Sequence, residues 1–249
     1  MGVIQPFSIP GFTDPVSSFT HLIGAAVFLS LGVRLIRRGH QKAGDDAHAG
    51  ANGWHTTSLA VFAFSCVLLL SVSGVFHLLP RGEGRDVLQI LDHAAIFVLI
   101  AGTFTPIHAI LFKGWMRWGV LGFVWAAAVT GITLKSVFFE GFPEALGIAL
   151  YVGLGWVGVI SMIGIWRAHG FKFGRRMVAA GLAYTVGAGV ELLGWPTVWP
   201  GVVGPHEIFH VFVLIGVAWH FGFIEKIERV RPAVPPSVGE PDPDGRAGD

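Results

Sequence analysis

The chain has 249 residues, of which 53% are hydrophobic and only 13% charged, with a mean hydropathy of +0.64 and a formal net charge of +1. Water-soluble domains carry about 25% charged residues, so this composition excludes an ordinary soluble enzyme and indicates an integral membrane protein. With a near-neutral charge and no basic aromatic surface, nothing points to nucleic acid as a partner.

A membrane span needs about 20 predominantly apolar residues, and seven segments meet that length. In chain order they are 18–38, 57–79, 88–111, 116–138, 143–166, 175–195 and 205–226. The expected fold is therefore an all-α, seven-transmembrane-helix bundle over 18–228. A short N-terminal segment (1–17) precedes it, and a tail without apolar periodicity (229–249) is expected to be disordered. No cationic segment precedes the first apolar run, so a cleaved signal peptide is not expected. The breaks are the polar loop "RRGHQKAGDDAHAGANG", the turn "LPRGEGRD", the hinge "FKGWMRW", the basic loop "RAHGFKFGRR" and the rigid connection "GWPTVWPGVVGP".

Within the spans, Cys66 reads as a small core residue, and a lone cysteine forms no intrachain disulfide. Thr103 and Thr105 are expected to satisfy backbone groups freed by Pro106. Trp115, Trp118, Trp195 and Trp199 fall near span ends as interfacial anchors. His40, His48 and His55 sit in or beside the charged loop and are expected to be solvated.

Lys and Arg counts in the short loops set orientation. An outside N-terminus gives the cytoplasmic side thirteen basic residues, from Arg34, Arg37 and Arg38 through Arg175 and Arg176 to Arg231. The other side receives Arg81, Arg85 and Lys135. This bias predicts a plasma-membrane protein with its N-terminus outside and its C-terminus in the cytoplasm.

Parity then gathers the ionisable residues on one membrane face. His21 opens span 1, Ser73 and His77 close span 2, Asp92 and His93 open span 3, Glu191 closes span 6, and "HEIFH" (206–210) opens span 7. Ionisable groups are costly in a bilayer and usually pair or mark function. His206 and His210 are one helical turn apart, as are Ser73 and His77. Three imidazoles plus water form a standard tetrahedral zinc set, which selects His77, His206 and His210 as ligands and places Asp92 beside the metal's water. A hydrogen-bonded polar layer at headgroup level accounts for the same spacing. His93 is expected to partner His21 or Glu191. His220, ten positions beyond His210, lies about 15 Å deeper and suits a lipid cavity rather than the metal.

The stretches "FTHLIGA" (19–25), "SVSGVFH" (71–77), "LDHAAIFVLIAGTFTP" (91–106) and "HEIFHVFVLIGVAWH" (206–220) resemble the hemolysin III family, within the group that contains the progestin and adiponectin receptors. The resemblance implies a seven-helix bundle with one zinc on His77, His206 and His210, Asp92 contacting the zinc-bound water, and Ser73 in the site. Ser17 stands where the family often has Asn. Adiponectin receptors, similar in motif, place the N-terminus in the cytoplasm, opposite to the charge count here.

A zinc-activated water beside Asp92 and Ser73 suits hydrolysis of a lipid amide or ester. A membrane lipid or fatty-acyl group is then the expected partner. A receptor-like regulator of membrane lipid state with structural zinc is the alternative. "HEIFH" also satisfies H-E-x-x-H, in which Glu207 would be the base of a protease. An acid at a helix N-terminus is the simpler reading of Glu207. A cytolytic pore finds no support in any barrel-like alternation.

Overall fold

Apolar runs of this length must satisfy every backbone group internally, and in a bilayer a helix does so within one segment. The computed structural model describes residues 14–45 and 52–229 and follows that rule. The helices are α1 (Pro15–Asp45), α2 (Asn52–Leu78), α3 (Glu83–Leu111), α4 (Gly114–Val137), α5 (Glu144–Trp156), α6 (Gly158–His169), α7 (Phe171–Leu193) and α8 (Pro205–Glu228). Seven spans result, because α5 and α6 together make the fifth. Among the described residues there is no strand, only an isolated bridge between Trp199 and Val203. The expected tail lies, from residue 230 onward, outside the described residues, as does His48.

The helices extend past their expected ends for local reasons. α3 begins at Glu83, inside the expected turn, because Glu83 and Asp86 place negative charge in its first turn, where the helix dipole favours it. The basic loop "RAHGFKFGRR" shrinks to one residue. Gly170 takes a φ of 77°, which only glycine adopts without strain, and α7 restarts at Phe171. The fifth span tightens at Val157, whose N–H bonds Leu154 one residue early. His55 is also not freely solvated: it lies in α2 against Gly39 of α1.

Two apolar clusters share α3 as a partition. One joins Phe28 and Leu35 of α1, Leu59, Phe62 and Leu70 of α2, and Val217, Phe221 and Ile224 of α8. The other joins Phe97, Ala101 and Phe104 of α3 to Leu121, Val124 and Ala128 of α4 and Leu154 of α5. The outward faces are apolar as well. Phe19, Ile23 and Val27 line one side of α1 and are exposed, a stripe that lipid tails cover at no cost. The four named tryptophans are likewise exposed at helix ends.

Opposite to the His-rich face, polar ties hold the bundle. His108 donates through Nδ1 to the Met116 carbonyl and accepts at Nε2 from Ser161 Oγ at 2.8 Å. Arg38 pairs with Glu225 at 3.2 Å, and Arg176 donates to the Gly222 carbonyl at 2.7 Å. The threonines near Pro106 do not act as expected. Pro106 frees the carbonyl of Gly102, four residues back, whereas Thr103 donates to Ile100 and Thr105 to Ala101. Thr105 also accepts from Trp125 Nε1 at 3.1 Å, tying α3 to α4.

Gly102 allows α3 to approach α2. A β-carbon there would lie 2.2 Å from Ser65 Oγ and 2.6 Å from its Cβ, and the Cβ, fixed to the backbone, cannot swing away. Gly102→Ala is expected to destabilise the bundle by about 1–3 kcal/mol through overpacking, read as a lowered Tm in detergent. An unchanged Tm would show that the two helices separate freely.

Candidate metal centre

The site is built where α1, α3 and α8 begin and α2 and α7 end. α8 starts on Pro205, whose missing N–H is no loss at that position. Glu207 Oε2 accepts the Gly204 N–H at 2.8 Å, so this carboxylate caps the helix. His206 and His210 then project one turn apart. The end of α2 is clamped by the start of α1: Asp14 N–H donates to the His77 carbonyl at 3.1 Å, and Ser18 Oγ to the Gly74 carbonyl at 2.9 Å. The His77 carbonyl, left open at the helix end, is thereby satisfied.

Three imidazoles converge. His77 Nε2 is 3.3 Å from His206 Nε2, which is 3.0 Å from His210 Nε2. The ring nitrogens of His77, His206 and His210 can all be chosen within 4.8 Å of one another. Behind two of the rings stands a carboxylate, and behind the third another imidazole. His77 Nδ1 donates to Asp14 Oδ2 at 3.0 Å, His206 Nδ1 to Glu191 Oε1 at 2.9 Å, and His210 Nδ1 faces His21 Nε2 at 2.9 Å. With Nδ1 donating to a carboxylate, the Nε2 of His77 and of His206 carries its lone pair inward.

Lone pairs aimed at one another repel unless a cation lies between them. Tetrahedral Zn–N bonds of 2.0–2.1 Å would separate two ligand nitrogens by about 3.3 Å. The donor set and its spacing therefore fit a metal ion, and the carboxylates behind the rings are the partners that metal-binding imidazoles ordinarily have. His77 and His210 are buried, whereas the His206 side chain is 42% exposed, so the cluster is open on that side.

Asp14 is held in turn by Arg85, which reaches it at 3.3 Å, donates to the Leu79 carbonyl and lies 4.6 Å from the Phe76 ring centre. The hydrogen bond from His77, aided by Arg85, holds the Asp14 carboxyl below its ordinary range despite burial. Asp92 lies within electrostatic reach of His77 and His206 and is hydrogen-bonded to Ser73. His93 does not partner His21 or Glu191. Its ring packs on Phe139 at 5.4 Å, and His21 pairs with His210 instead. His220 is buried, stacked on Tyr184 at 5.7 Å, with an unpartnered Nδ1. Ser17 Oγ is also buried and unpartnered.

Sequence reasoning gathered Glu191 on this face but missed its place behind His206, and it missed Asp14 and Arg85 as the support of His77. Asp14 just before Pro15 was a readable sign of an interaction at the helix start. Arg85 was legible only as a loop charge.

Residues 12–221 match the family described as Haemolysin-III related. Hemolysin-3 of Bacillus cereus is 31% identical over 210 residues, covering 82% of this chain and 87% of that protein. The Hemolysin-3 homolog of Bacillus subtilis (strain 168) is 31% identical over 170 residues, covering 68% and 76%. Heptahelical transmembrane protein ADIPOR2 of Oryza sativa subsp. japonica is 30% identical over 201 residues, covering 74% and 88%. A seven-span chain matched over most of its length in this way belongs to the Haemolysin-III related family.

Proposed function

We propose that the protein is a zinc-dependent hydrolase acting on an amide or ester bond of a membrane lipid. The observation that carries this reading is the convergence of three Nε2 atoms, two of them on rings backed by a carboxylate, beside the Asp92–Ser73 pair. His77, His206 and His210 would hold the ion. Zinc so bound supplies Lewis acidity, bringing the pKa of a water from ~15.7 to about 7.

This chain's own groups do the rest. Asp14 and Glu191 keep His77 and His206 in the tautomer that presents Nε2, and His21 packs behind His210. Asp92 is the nearby carboxylate suited to take the proton of the attacking water and pass it to the leaving group. Ser73, which hydrogen-bonds Asp92, keeps that carboxylate aligned. Glu207, engaged as a cap, takes no part, which disfavours the protease reading.

A structural role has one observation in its favour. The cluster ties the end of α2 to the start of α8 and, through Glu191, to the end of α7. A receptor-like regulator would need no more than this tie.

The Lys and Arg bias supports a site on the outer face, with the N-terminus outside. A reporter fused to the C-terminus is expected to signal from the cytoplasm; a periplasmic or extracellular signal would reverse the orientation.

Purified wild type is expected to carry about one zinc per chain, and the His206→Ala/His210→Ala variant almost none. Glu191→Gln is expected to weaken retention against a chelator by about 10- to 100-fold. Metal-free wild type, prepared without chelator, would return the cluster to a polar layer. In lipid turnover assays, Asp92→Ala with zinc retained is expected to lose about 10²- to 10⁴-fold in rate. Full turnover in that variant would remove Asp92 from the mechanism. No turnover by zinc-loaded wild type on any lipid amide or ester tested would favour the structural role.

A further inference from the structure

Lys135 belongs to the last turn of α4, on the same membrane face as the imidazoles. A lysine placed there only to complement the helix dipole would extend its charge into water. This one is only 6% exposed. Its Nζ lies 5.4 Å from the ring centre of Phe139 and 5.0 Å from that of Phe142. It would sit 3.5 Å from a β-carbon on Gly147 of α5, so the side chain turns inward, under the Phe139–Gly141 turn. Aromatic faces attract an ammonium but accept no ordinary hydrogen bond. Glu144 attracts it electrostatically from the start of α5. Among the described residues, however, no carboxylate pairs with it and no acceptor receives its three N–H donors.

Glu191 is within electrostatic reach of His93 and Asp92 of Tyr151, yet neither carboxylate pairs with Lys135. His93 packs on the same Phe139 ring and lies within electrostatic reach of Lys135. Its Nδ1 is buried and makes no well-formed hydrogen bond; the Gln89 carbonyl one turn back offers only a weak contact. Tyr151 of α5 donates to the His93 carbonyl at 3.3 Å, closing the floor. His93 follows Asp92 on α3, about 100° around the helix, so the surroundings of Lys135 and the imidazole cluster occupy adjacent sides of one helix.

We propose that Lys135 and His93 form a phosphate-binding subsite, taking the phosphate of a lipid headgroup at the mouth of the metal centre. A compact ammonium is a good point-charge partner for phosphate, and a pocket at a span end lies where lipid phosphates lie. The proposal goes beyond the hydrolase reading and does not depend on it, because binding at Lys135 needs no turnover.

The test is a binding titration on the purified full chain in detergent, using dihexanoyl phosphatidic acid and, as its phosphate-free counterpart, dihexanoylglycerol. Wild type is expected to bind the phosphatidic acid about tenfold or more tightly than the diglyceride. Lys135→Gln should reduce it to the diglyceride level, and Lys135→Arg should restore most of the difference. An unchanged gel-filtration profile of Lys135→Gln establishes that the variant is folded. Should it fail to fold, the comparison of the two lipids on wild type still decides. Competition by inorganic phosphate would assign the subsite to free phosphate, and absence of competition to the lipid. Equal binding of both lipids by wild type, or undiminished phosphatidic acid binding by folded Lys135→Gln, would overturn the proposal.

Discussion

The imidazole end of this bundle depends on one constraint: the Nδ1 hydrogens of His77 and His206 must be taken up from behind. Asp14 does so for His77 and Glu191 for His206, while His21 packs behind His210. Once those bonds are made, the Nε2 atoms of His77 and His206 have only lone pairs to present. They meet each other at 3.3 Å, and His206 Nε2 meets His210 Nε2 at 3.0 Å. That arrangement is unfavourable as an empty polar layer and favourable around a cation. The same bonds recruit α1 and α7 to a centre whose three imidazoles come from α2 and α8 alone. Arg85 extends the chain one step further by holding Asp14 against the end of α2.

The two ends of the molecule use polarity differently. At the opposite end, Arg38–Glu225, Arg176–Gly222 and the His108–Ser161 pair join helices through donor–acceptor couples that are complete in themselves. At the imidazole end, three Nε2 atoms converge on one another and the Lys135 ammonium faces two aromatic rings. Between the two ends lie apolar clusters divided by α3, which places the Asp92 side toward the imidazoles and the His93 side toward Lys135.

The comparison between sequence and structure is most informative at particular residues. Seven spans were legible because hydropathy and length act on each segment alone. Parity was enough to bring His77, His206 and His210 to one face, and Glu191 and Asp92 with them. Glu207 was readable as a cap because Gly204, Pro205 and the helix start are adjacent in sequence. Span ends were less legible. Gly170 reduced an expected loop to one residue because a positive φ reverses the chain without further length, and hydropathy is blind to that. The expected partner of His93 was wrong, since a shared membrane face does not say which way a ring points.

Composition, span length and the order of polar residues along the chain thus determined an all-α membrane bundle with its ionisable groups on one face. Those are properties of single segments and of counting, and they survive any rotation of the helices. Only the tertiary structure decided which nitrogen faces which partner, that Asp14 and Glu191 stand behind His77 and His206, and that Lys135 turns under Phe139. Each of those outcomes depends on the rotation and close approach of one helix against another, as where Gly102 meets Ser65. Such packing is fixed by small residues and side-chain shape across distant parts of the chain, and no local pattern encodes it.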